Sequence, residues 1–189
     1  MIVCFLANTP RSRPGANPCP WAPFAPGVDT LRRIVLAALL LSTLPAAGVE
    51  LHGIVTEVQD GDSVTLLAAG TSYKIRLVDI DAPELAQPRG KDSWASLSGM
   101  CKSKPAAAHT IGEDRFGRTL ARIKCAGVDA NTEQVRRGWA WVFTRYAPQD
   151  SPLFAIQEDA RRARRGLWAD DEPVAPWDWR KMKRAGEAD

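Results

Sequence analysis

The chain has 189 residues, enough for one domain with additional segments, and its composition is ordinary for a globular protein. Its formal net charge of +3 comes entirely from residues 1–48, because basic and acidic residues are equal in number in the remainder. This balance excludes polyanion binding by global charge, so any such binding requires a local basic patch.

The N-terminal segment has the pattern of an export signal. An apolar run at residues 34–44 follows Arg32-Arg33 and precedes small residues up to Gly48. The run is too short to span a bilayer, and its three parts are typical of a secretory signal. We therefore expect residues 1–48 to be a leader, with a disordered segment before the signal, cleavage near Val49, and export to a periplasm or out of the cell. A buried strand or a short anchor is the alternative interpretation.

The cysteines are compatible with export. Cys4 and Cys19 fall in the leader, whereas Cys101 and Cys125 remain in the mature chain. In an oxidising compartment this even pair could form one disulfide, and two unpaired thiols are the alternative. The spacing of the cysteines fits no zinc-site pattern.

The first half of the mature chain predicts a meander of three strands. Weak or clear alternation of apolar and polar residues marks three runs: residues 51–59, 63–67 and 73–80. Asp60-Gly61 and Ala69-Gly70 are tight-turn signals between them. Pro83 cannot donate to a sheet ladder, so the third strand should end near Asp81.

The middle of the chain predicts two further strands. Residues 89–104 are polar and predict at most a short helix around residues 93–100. Residues 106–111 have poor strand propensity, and residues 119–124 form a better strand. Five short strands with about three helices predict an α+β, mainly β, domain. The five-stranded oligonucleotide-binding barrel (OB-fold) is the natural candidate.

Two helices follow the strands in the prediction. Asn131 is a candidate N-cap for a short helix that stops at Gly138. Ser151-Pro152 begins the clearest helix, which should end at Gly166. Its predicted buried face consists of Leu153, Ile156, Ala160, Ala163 and Leu167.

The C-terminal part carries an arginine-rich helix end and a tail. Arginines at positions 161, 162, 164 and 165 indicate a solvated helix end in preference to a nucleic-acid patch. We expect the domain to cover residues 49–169 and a tail to cover residues 170–189. The final ten residues should be frayed, while Trp177 and Trp179 could pack back on the domain.

Acidic residues lie at the predicted turns and strand ends. Asp60 and Asp62 flank a glycine in the first hairpin, and Asp81 ends the third strand. In a meander these carboxylates can converge, and hard cations such as Ca²⁺ prefer oxygen ligands. Turn chemistry alone is the alternative explanation for Asp60-Gly61-Asp62.

Further charged residues complete a candidate hydrolytic site. Glu84 follows Asp81 closely, and a carboxylate beside a metal site can deprotonate a water molecule. Arg76 and Arg118 could hold a phosphate through their guanidinium forks, although Arg76 starts on the face of an ideal strand opposite to Asp81. These groups suit attack of water on a phosphodiester, and an ordinary ion-paired barrel surface is the alternative.

Four motifs, in order, resemble the staphylococcal nuclease (thermonuclease) family over residues 51–168. They are Asp60-Gly61-Asp62-Ser63, Arg76-x4-Asp81-Ala82-Pro83-Glu84, Asp114-Arg115-Phe116-Gly117-Arg118 and Asn131-x3-Val135-Arg136-x-Gly138. The resemblance implies an OB-fold barrel and Ca²⁺-dependent hydrolysis of DNA and RNA that leaves 3′-phosphates.

The resemblance also implies roles for individual residues. The metal ligands would be Asp62, Asp81 and the main-chain carbonyl of Ala82, with Asp60 as a nearby supporting acid. Glu84 would be the general base, and Arg76 and Arg118 would bind the phosphate. Arg115 and Tyr146 would contact the nucleotide.

Two departures from the family pattern and two alternative functions remain. Thr144 stands where the family has a second pocket tyrosine, and the segment between Glu84 and Asp114 differs from the family. We expect a monomer that prefers single-stranded substrate and does not stay on a membrane once the signal is removed. A barrel that binds nucleic acid or protein without cutting is the first alternative, although such domains usually lack part of the charged set. A disulfide-stabilised scaffold of the cell envelope is the second, supported only by the leader and the cysteine pair.

Overall fold

The computed structural model describes residues 48–186. The strands in this part are β1 (Glu50–Val58), β2 (Ser63–Ala68), β3 (Thr71–Leu77), β4 (Ile80–Asp81), β5 (Pro105–Glu113), β6 (Thr119–Cys125), β7 (Val128–Asp129) and β8 (Trp141–Val142). The helices are α1 (Gly90–Cys101), α2 (Ala130–Arg136), α3 (Leu153–Arg162), a 3₁₀-helix (Gly166–Ala169) and α4 (Pro176–Ala185). The expected leader lies outside the described residues, except for Gly48.

The long strands close into a barrel. Antiparallel pairing runs in the order β3-β2-β1-β5-β6, and a parallel pairing of β3 with β6 joins the two ends. That closing pair aligns Ile75 with Thr119 and Leu77 with Ala121. The predicted five-stranded OB-fold barrel is confirmed. Within residues 48–186 it carries four α-helices, where the sequence predicted about three.

Alternating apolar residues build the barrel interior. Val64 and Leu66 of β2 are buried, as are Ile75 of β3 and Ile123 of β6. Lys74, next to Ile75, and Lys124, next to Ile123, face solvent. Burial of one face per strand fixes the register, since a slip by one residue would expose the whole apolar set. The interior is therefore a single packed core.

The segment after Glu84 is more regular than its sequence predicts. Helix α1 has 12 residues, and β5 has 9 residues despite its alanine-rich, strand-poor composition. Strand β5 is hydrogen-bonded on both sides, to β1 and to β6, so tertiary pairing overrides its weak propensity. Helix α1 covers the barrel with Leu97, Met100 and Cys101. The expectation of a short helix is therefore wrong, whereas the strand predicted at residues 106–111 is present and longer than predicted.

The N-cap of helix α2 lies two residues before the predicted cap. The N-cap is Asp129, whose side chain accepts a hydrogen bond from the backbone N–H of Thr132 at 3.0 Å. Asn131, the predicted cap, is instead fully buried within the helix. Two residues separated by one position thus both have side chains that could cap the helix, and only tertiary packing distinguishes them.

Helix α3 is shorter than predicted. It ends at Arg162, and Gly166 begins the 3₁₀-helix. Ala163 is therefore exposed, and Gln157 is buried on the inner face, where its Oε1 accepts from the N–H of Val142 at 2.7 Å. A polar residue that anchors β8 could not be assigned to the core from apolar periodicity.

The C-terminal tail contains helix α4, so the prediction of frayed final residues is wrong for residues 180–185. Trp177 of this helix stacks on Phe143 at a centroid distance of 5.6 Å and meets Trp141 edge-on at 5.7 Å. These aromatic contacts dock the helix on the region that follows β8. No helix in the described part of the chain is long and apolar enough to cross a membrane.

A disulfide ties α1 to the barrel. Cys101 at the end of α1 is bonded to Cys125 at the end of β6, with their Cα atoms 5.1 Å apart. Both residues belong to the core. The bond therefore staples the covering helix to the strand that closes the barrel.

Replacing both cysteines, Cys101→Ala with Cys125→Ala, should lower the free energy of unfolding by about 3 kcal/mol through loss of loop constraint in the unfolded chain. Urea unfolding of wild type with and without dithiothreitol measures this effect. The double variant should not respond to dithiothreitol, and equal midpoints for all samples would contradict the prediction.

Candidate active site

One groove on the barrel surface collects the candidate residues. Its volume is ≈ 960 Å³, and its lining contains Asp60, Asp62, Arg76, Asp81, Ala82, Glu84, Arg115, Arg118 and Tyr146. These are all the predicted site residues apart from the disulfide pair. Strand ends and loops supply them, which is the usual place for chemistry on a rigid scaffold.

The Asp60-Gly61-Asp62 turn packs on the helices. The carbonyl of Gly61 accepts a hydrogen bond from Nε2 of Gln134 at 2.8 Å. A Cβ at position 61 would lie 1.9 Å from Oγ of Ser93, so only glycine fits at this close approach. Asp60 Oδ1 accepts from the N–H of Asp62 at 2.9 Å. The turn thus has a structural role, and it also orients Asp62.

Asp62 links this turn to the segment Asp81-Ala82 at the end of β4. Its side chain is buried, and Oδ2 accepts from the N–H of Ala82 at 2.6 Å while Oδ1 accepts from Oγ of Ser63 at 3.1 Å. Asp81, the neighbour of Ala82, is also buried. The expected convergence of Asp62 with the Asp81-Ala82 segment is therefore present.

Arg76 joins the two carboxylates. Its Nη2 lies 3.1 Å from Oδ2 of Asp62 and 3.0 Å from Oδ1 of Asp81. Its Nη1 donates to the carbonyls of Leu77 at 2.6 Å and Ile80 at 3.0 Å. The guanidinium is thus held rigidly by backbone as well as by charge.

A break in the third strand brings Arg76 and Asp81 together. The sequence predicted one strand through Ile80, which would place these residues on opposite faces. Instead β3 ends at Leu77, and Asp79 adopts a left-handed conformation with φ of 65°. Asp79 is a residue type that tolerates this region. Strand β4 then resumes with altered register and pairs with β8.

The side chain of Asn131 holds the break between β3 and β4 in place. Its Oδ1 accepts from the N–H of Ile123 at 3.1 Å, and its Nδ2 donates to the carbonyl of Val78 at 2.9 Å. These backbone groups belong to β6 and to the interruption between β3 and β4. Asn131 therefore acts as a buried connector of the barrel, although its motif alone predicted a helix cap.

Burial strongly perturbs the paired aspartates. Desolvation raises the pKa of Asp62 to about 8, opposed by Arg76 and reinforced by the charges of Asp60 and Asp81. Desolvation also raises the pKa of Asp81, against hydrogen bonding from Arg180 and the charge of Arg76. Carboxylates whose charge is poorly solvated are suited to a cationic partner.

The donor set fits a hard cation in its chemistry. Asp62, Asp81 and the carbonyl of Ala82 offer oxygen atoms only, which is the preference of Ca²⁺. Within residues 48–186, however, no cluster of three or more His, Cys, Asp or Glu side chains has a geometry ready for a metal. A cation here would need main-chain and water oxygens to complete its shell.

Arg118 is oriented by a tight loop. Asp114 Oδ2 accepts from Nε of Arg118 at 2.8 Å, and Oδ1 accepts from the backbone N–H groups of Phe116 and Arg118. Gly117 takes the left-handed turn position with φ of 73°. Desolvation by itself would raise the pKa of the Asp114 carboxyl, but hydrogen bonds from Arg118 and Phe116 outweigh it and lower that pKa. The loop therefore presents Arg118 to the groove.

Aromatic side chains form the exposed rim of the groove. Phe116 and Tyr146 are 69% and 66% exposed, which is high for residues of this size. Tyr146 meets Phe143 edge-on at 5.0 Å, and the guanidinium of Arg115 lies 4.8 Å from the ring centre of Phe116. Thr144 is exposed but is not among the groove-lining residues. Exposed rings of this kind can stack on bases.

Glu84 lies just after β4, on a loop, and contacts a residue that sequence reasoning missed. Its Oε1 is 2.9 Å from Nη1 of Arg180 on helix α4. A signal for this helix was present, because Pro176 stands at its first turn and Gly186 follows its end in a left-handed conformation. Arg180 thereby enters the site from the segment that was expected to fray.

Comparison with known proteins decides the family. A family profile described as "Staphylococcal nuclease homologue" matches residues 74–170, more than half of the chain. The chain belongs to the staphylococcal nuclease family.

Relatives within this family resemble the chain over most of its length. A protein of Escherichia coli named "Uncharacterized endonuclease" is 35% identical over 154 residues, covering 81% of this chain and 100% of that protein. A Haemophilus influenzae protein of the same name is 37% identical over 161 residues, 83% and 90% of the two chains. A Shigella flexneri protein named "Micrococcal nuclease" is 31% identical over 164 residues, 82% and 94% of the two chains.

The substitution Asn131→Ala should lower the free energy of unfolding by about 1–3 kcal/mol, because it leaves a buried N–H of Ile123 and a buried carbonyl of Val78 without partners. Chemical unfolding measures the change. The exposed Lys124→Ala on neighbouring β6 serves as the control and should stay within about 0.5 kcal/mol of wild type. Equal stability of both variants would refute the connector role.

Proposed function

We propose that this chain is a nuclease that hydrolyses phosphodiester bonds of DNA and RNA with Ca²⁺ as cofactor. The observation that carries the proposal is that buried carboxylates, two arginines and a loop glutamate line one groove. The chain that carries this groove belongs to the staphylococcal nuclease family. Phosphate transfer to water depends mainly on positioning and on stabilisation of charge.

The buried acids would hold the cation. Asp62 and Asp81 would bind it through their carboxylates and Ala82 through its main-chain carbonyl, while Asp60 keeps Asp62 oriented through the hydrogen bond to its N–H. Ca²⁺, when bound, supplies a positive charge that polarises a phosphate oxygen. Burial of both aspartates keeps competing water away from their carboxylates.

The arginines and Glu84 would perform the remaining work. Arg76 and Arg118 would donate to the non-bridging phosphate oxygens and stabilise the negative charge that develops there. Glu84 would accept a proton from the attacking water, which then attacks phosphorus in line with the departing 5′-oxygen. The P–O5′ bond breaks, and the departing 5′-oxygen takes up a proton from solvent. The products are therefore a 3′-phosphate and a 5′-hydroxyl.

The rim residues would bind the flanking nucleotide. Arg115 would contact a terminal phosphate, and Tyr146 would stack on a base, as would Phe116, which follows Arg115 in the chain. Stacking on an exposed ring requires a base that is free of its own helix, which favours single-stranded substrate. A single barrel holds every proposed group, so a monomer is sufficient for the reaction.

Removal of Ca²⁺ with EGTA should abolish hydrolysis of single-stranded DNA, and Glu84→Gln should lower kcat by about 10²–10⁴-fold, because the amide cannot accept the proton. The exposed Glu158→Gln on α3 is the matched control and should retain wild-type activity. Gel or fluorescence assays of oligonucleotide cleavage measure both effects.

Two results would overturn this mechanism. Cleavage at a normal rate in EGTA would exclude a catalytic role for the cation. Cleavage at a normal rate by Glu84→Gln would exclude Glu84 as the general base. Binding of the oligonucleotide without any cleavage by wild type would favour the alternative of a non-catalytic OB-fold module.

We further propose that the protein is exported and cleaved near Val49. The three-part signal pattern supports this, and the Cys101–Cys125 bond is typical of proteins from oxidising compartments. N-terminal sequencing of protein recovered from the periplasm or medium should give a start near residue 49. Recovery of the intact leader on cytoplasmic protein would contradict export.

A further inference from the structure

We propose that Arg180 of helix α4 is a positioning residue that holds Glu84 and Asp81 for the reaction. This inference rests on the proposed function, since it assigns Arg180 a role through the proposed base and a proposed metal ligand. It also makes the C-terminal segment, which lies beyond the family match at residues 74–170, a working part of the active site.

The guanidinium of Arg180 forms a fork across two carboxylates. Its Nη2 lies 2.6 Å from Oδ2 of Asp81, and its Nη1 lies 2.9 Å from Oε1 of Glu84. A longer contact of 3.4 Å joins Nη1 to Oδ1 of Asp81. One rigid planar group thus sets the separation and direction of both acids.

Glu84 depends on this contact more than Asp81 does. Asp81 is held by burial and by Arg76, with a side chain that is only 2% exposed. The side chain of Glu84 is 45% exposed and lies on a loop. An exposed glutamate has several accessible rotamers, so a charge-assisted hydrogen bond that selects one of them lowers the entropy cost of reaching a reactive geometry.

Helix α4 is itself fixed relative to the site. Trp177, one turn before Arg180, packs against Phe143 and Trp141. Trp141 lies in β8 and is paired directly with Asp81 in the two-stranded sheet. The aromatic contacts therefore dock Arg180 on the same strand pair that carries Asp81.

Two further contacts bind the Glu84 loop to the C-terminal segment. Nε2 of Gln87 donates to the carbonyl of Val174 at 2.7 Å. Arg89 makes a bidentate pair with Asp170, at 3.0 Å through Nε and 2.6 Å through Nη2. The loop from Glu84 to Arg89 thus follows the segment from Asp170 to Arg180 along its length. This repeated connection is what a support for the loop requires, and supporting residues commonly affect activity by 10–100-fold.

The orientation of Arg180 distinguishes positioning from phosphate binding. Both of its terminal nitrogens are committed to carboxylates of the protein, as described above. Unlike the contacts described for Arg76, one of these contacts reaches the proposed base, so Arg180 should act through Glu84, and its loss should reduce kcat and leave KM nearly unchanged. Loss of an arginine that bound the phosphate equally in the ground state and the transition state would instead raise KM, and loss of an inhibitory contact would raise kcat.

The test is steady-state cleavage of single-stranded DNA in Ca²⁺ by the full chain carrying Arg180→Ala, Arg180→Lys or Lys183→Ala. Arg180→Ala should lower kcat by about 10–100-fold with KM within about twofold of wild type. Arg180→Lys should recover part of the loss, because one ammonium keeps the charge but cannot span both acids. Lys183→Ala removes an exposed charge from the same helix and should match wild type.

A second measurement separates this inference from the nuclease proposal and from misfolding. Hydrogen exchange should show faster exchange in residues 84–90 of Arg180→Ala, with the barrel strands unchanged and Lys183→Ala protected as in wild type. If the wild-type protein does not cleave DNA but this exchange pattern is observed, the nuclease proposal is refuted, whereas the proposal that Arg180 supports the Glu84 loop stands. Unchanged exchange, or an unchanged or raised kcat beside an inactive Glu84→Gln, would overturn the role of Arg180.

Discussion

The ion pairs of Arg76 with two buried aspartates are the interaction on which this structure depends. Its Nη2 lies about equally far from Asp62 and Asp81, at 3.1 Å and 3.0 Å, so one charge joins the β1–β2 turn to β4. Burial removes the hydration of both carboxylates, and without a positive charge between them they would also repel each other. The hydrogen bond from the N–H of Ala82 to Asp62 completes the same link through backbone. Arg76 therefore allows the barrel to hold both carboxylates in buried positions beside the groove.

A local interruption of regular structure makes this arrangement possible. The residues between Leu77 and Ile80 leave the sheet, with Asp79 in a left-handed conformation, and the direction of the following side chains changes. The buried amide of Asn131 satisfies the backbone of this interruption. The buried side chain of Asn131 thus holds the backbone in the conformation that shapes the groove. Hydrogen-bonded polar groups of this kind in a core favour one arrangement of the chain.

The C-terminal segment extends the family barrel into the site. Residues 74–170 match the staphylococcal nuclease profile, yet Arg180 reaches Glu84 and Asp81 from beyond this range. Aromatic packing supplies the stability of the docking, and ion pairs supply its direction. The loop that carries the proposed base is therefore supported from outside the barrel, while the proposed metal ligands are supported from within it.

The sequence by itself determined much of this protein. Period-two alternation and turn residues identified the barrel strands, and four short motifs identified the family and nine residues that line one groove. These features are local, so they can be read from neighbours along the chain. Tertiary structure alone decided the strand break at Asp79, the choice of Asp129 over Asn131 as the cap, the strand state of alanine-rich β5, and the docking of Arg180. Each of these depends on contacts with residues distant in sequence, whose free energy exceeds the small local preferences that a sequence pattern reports.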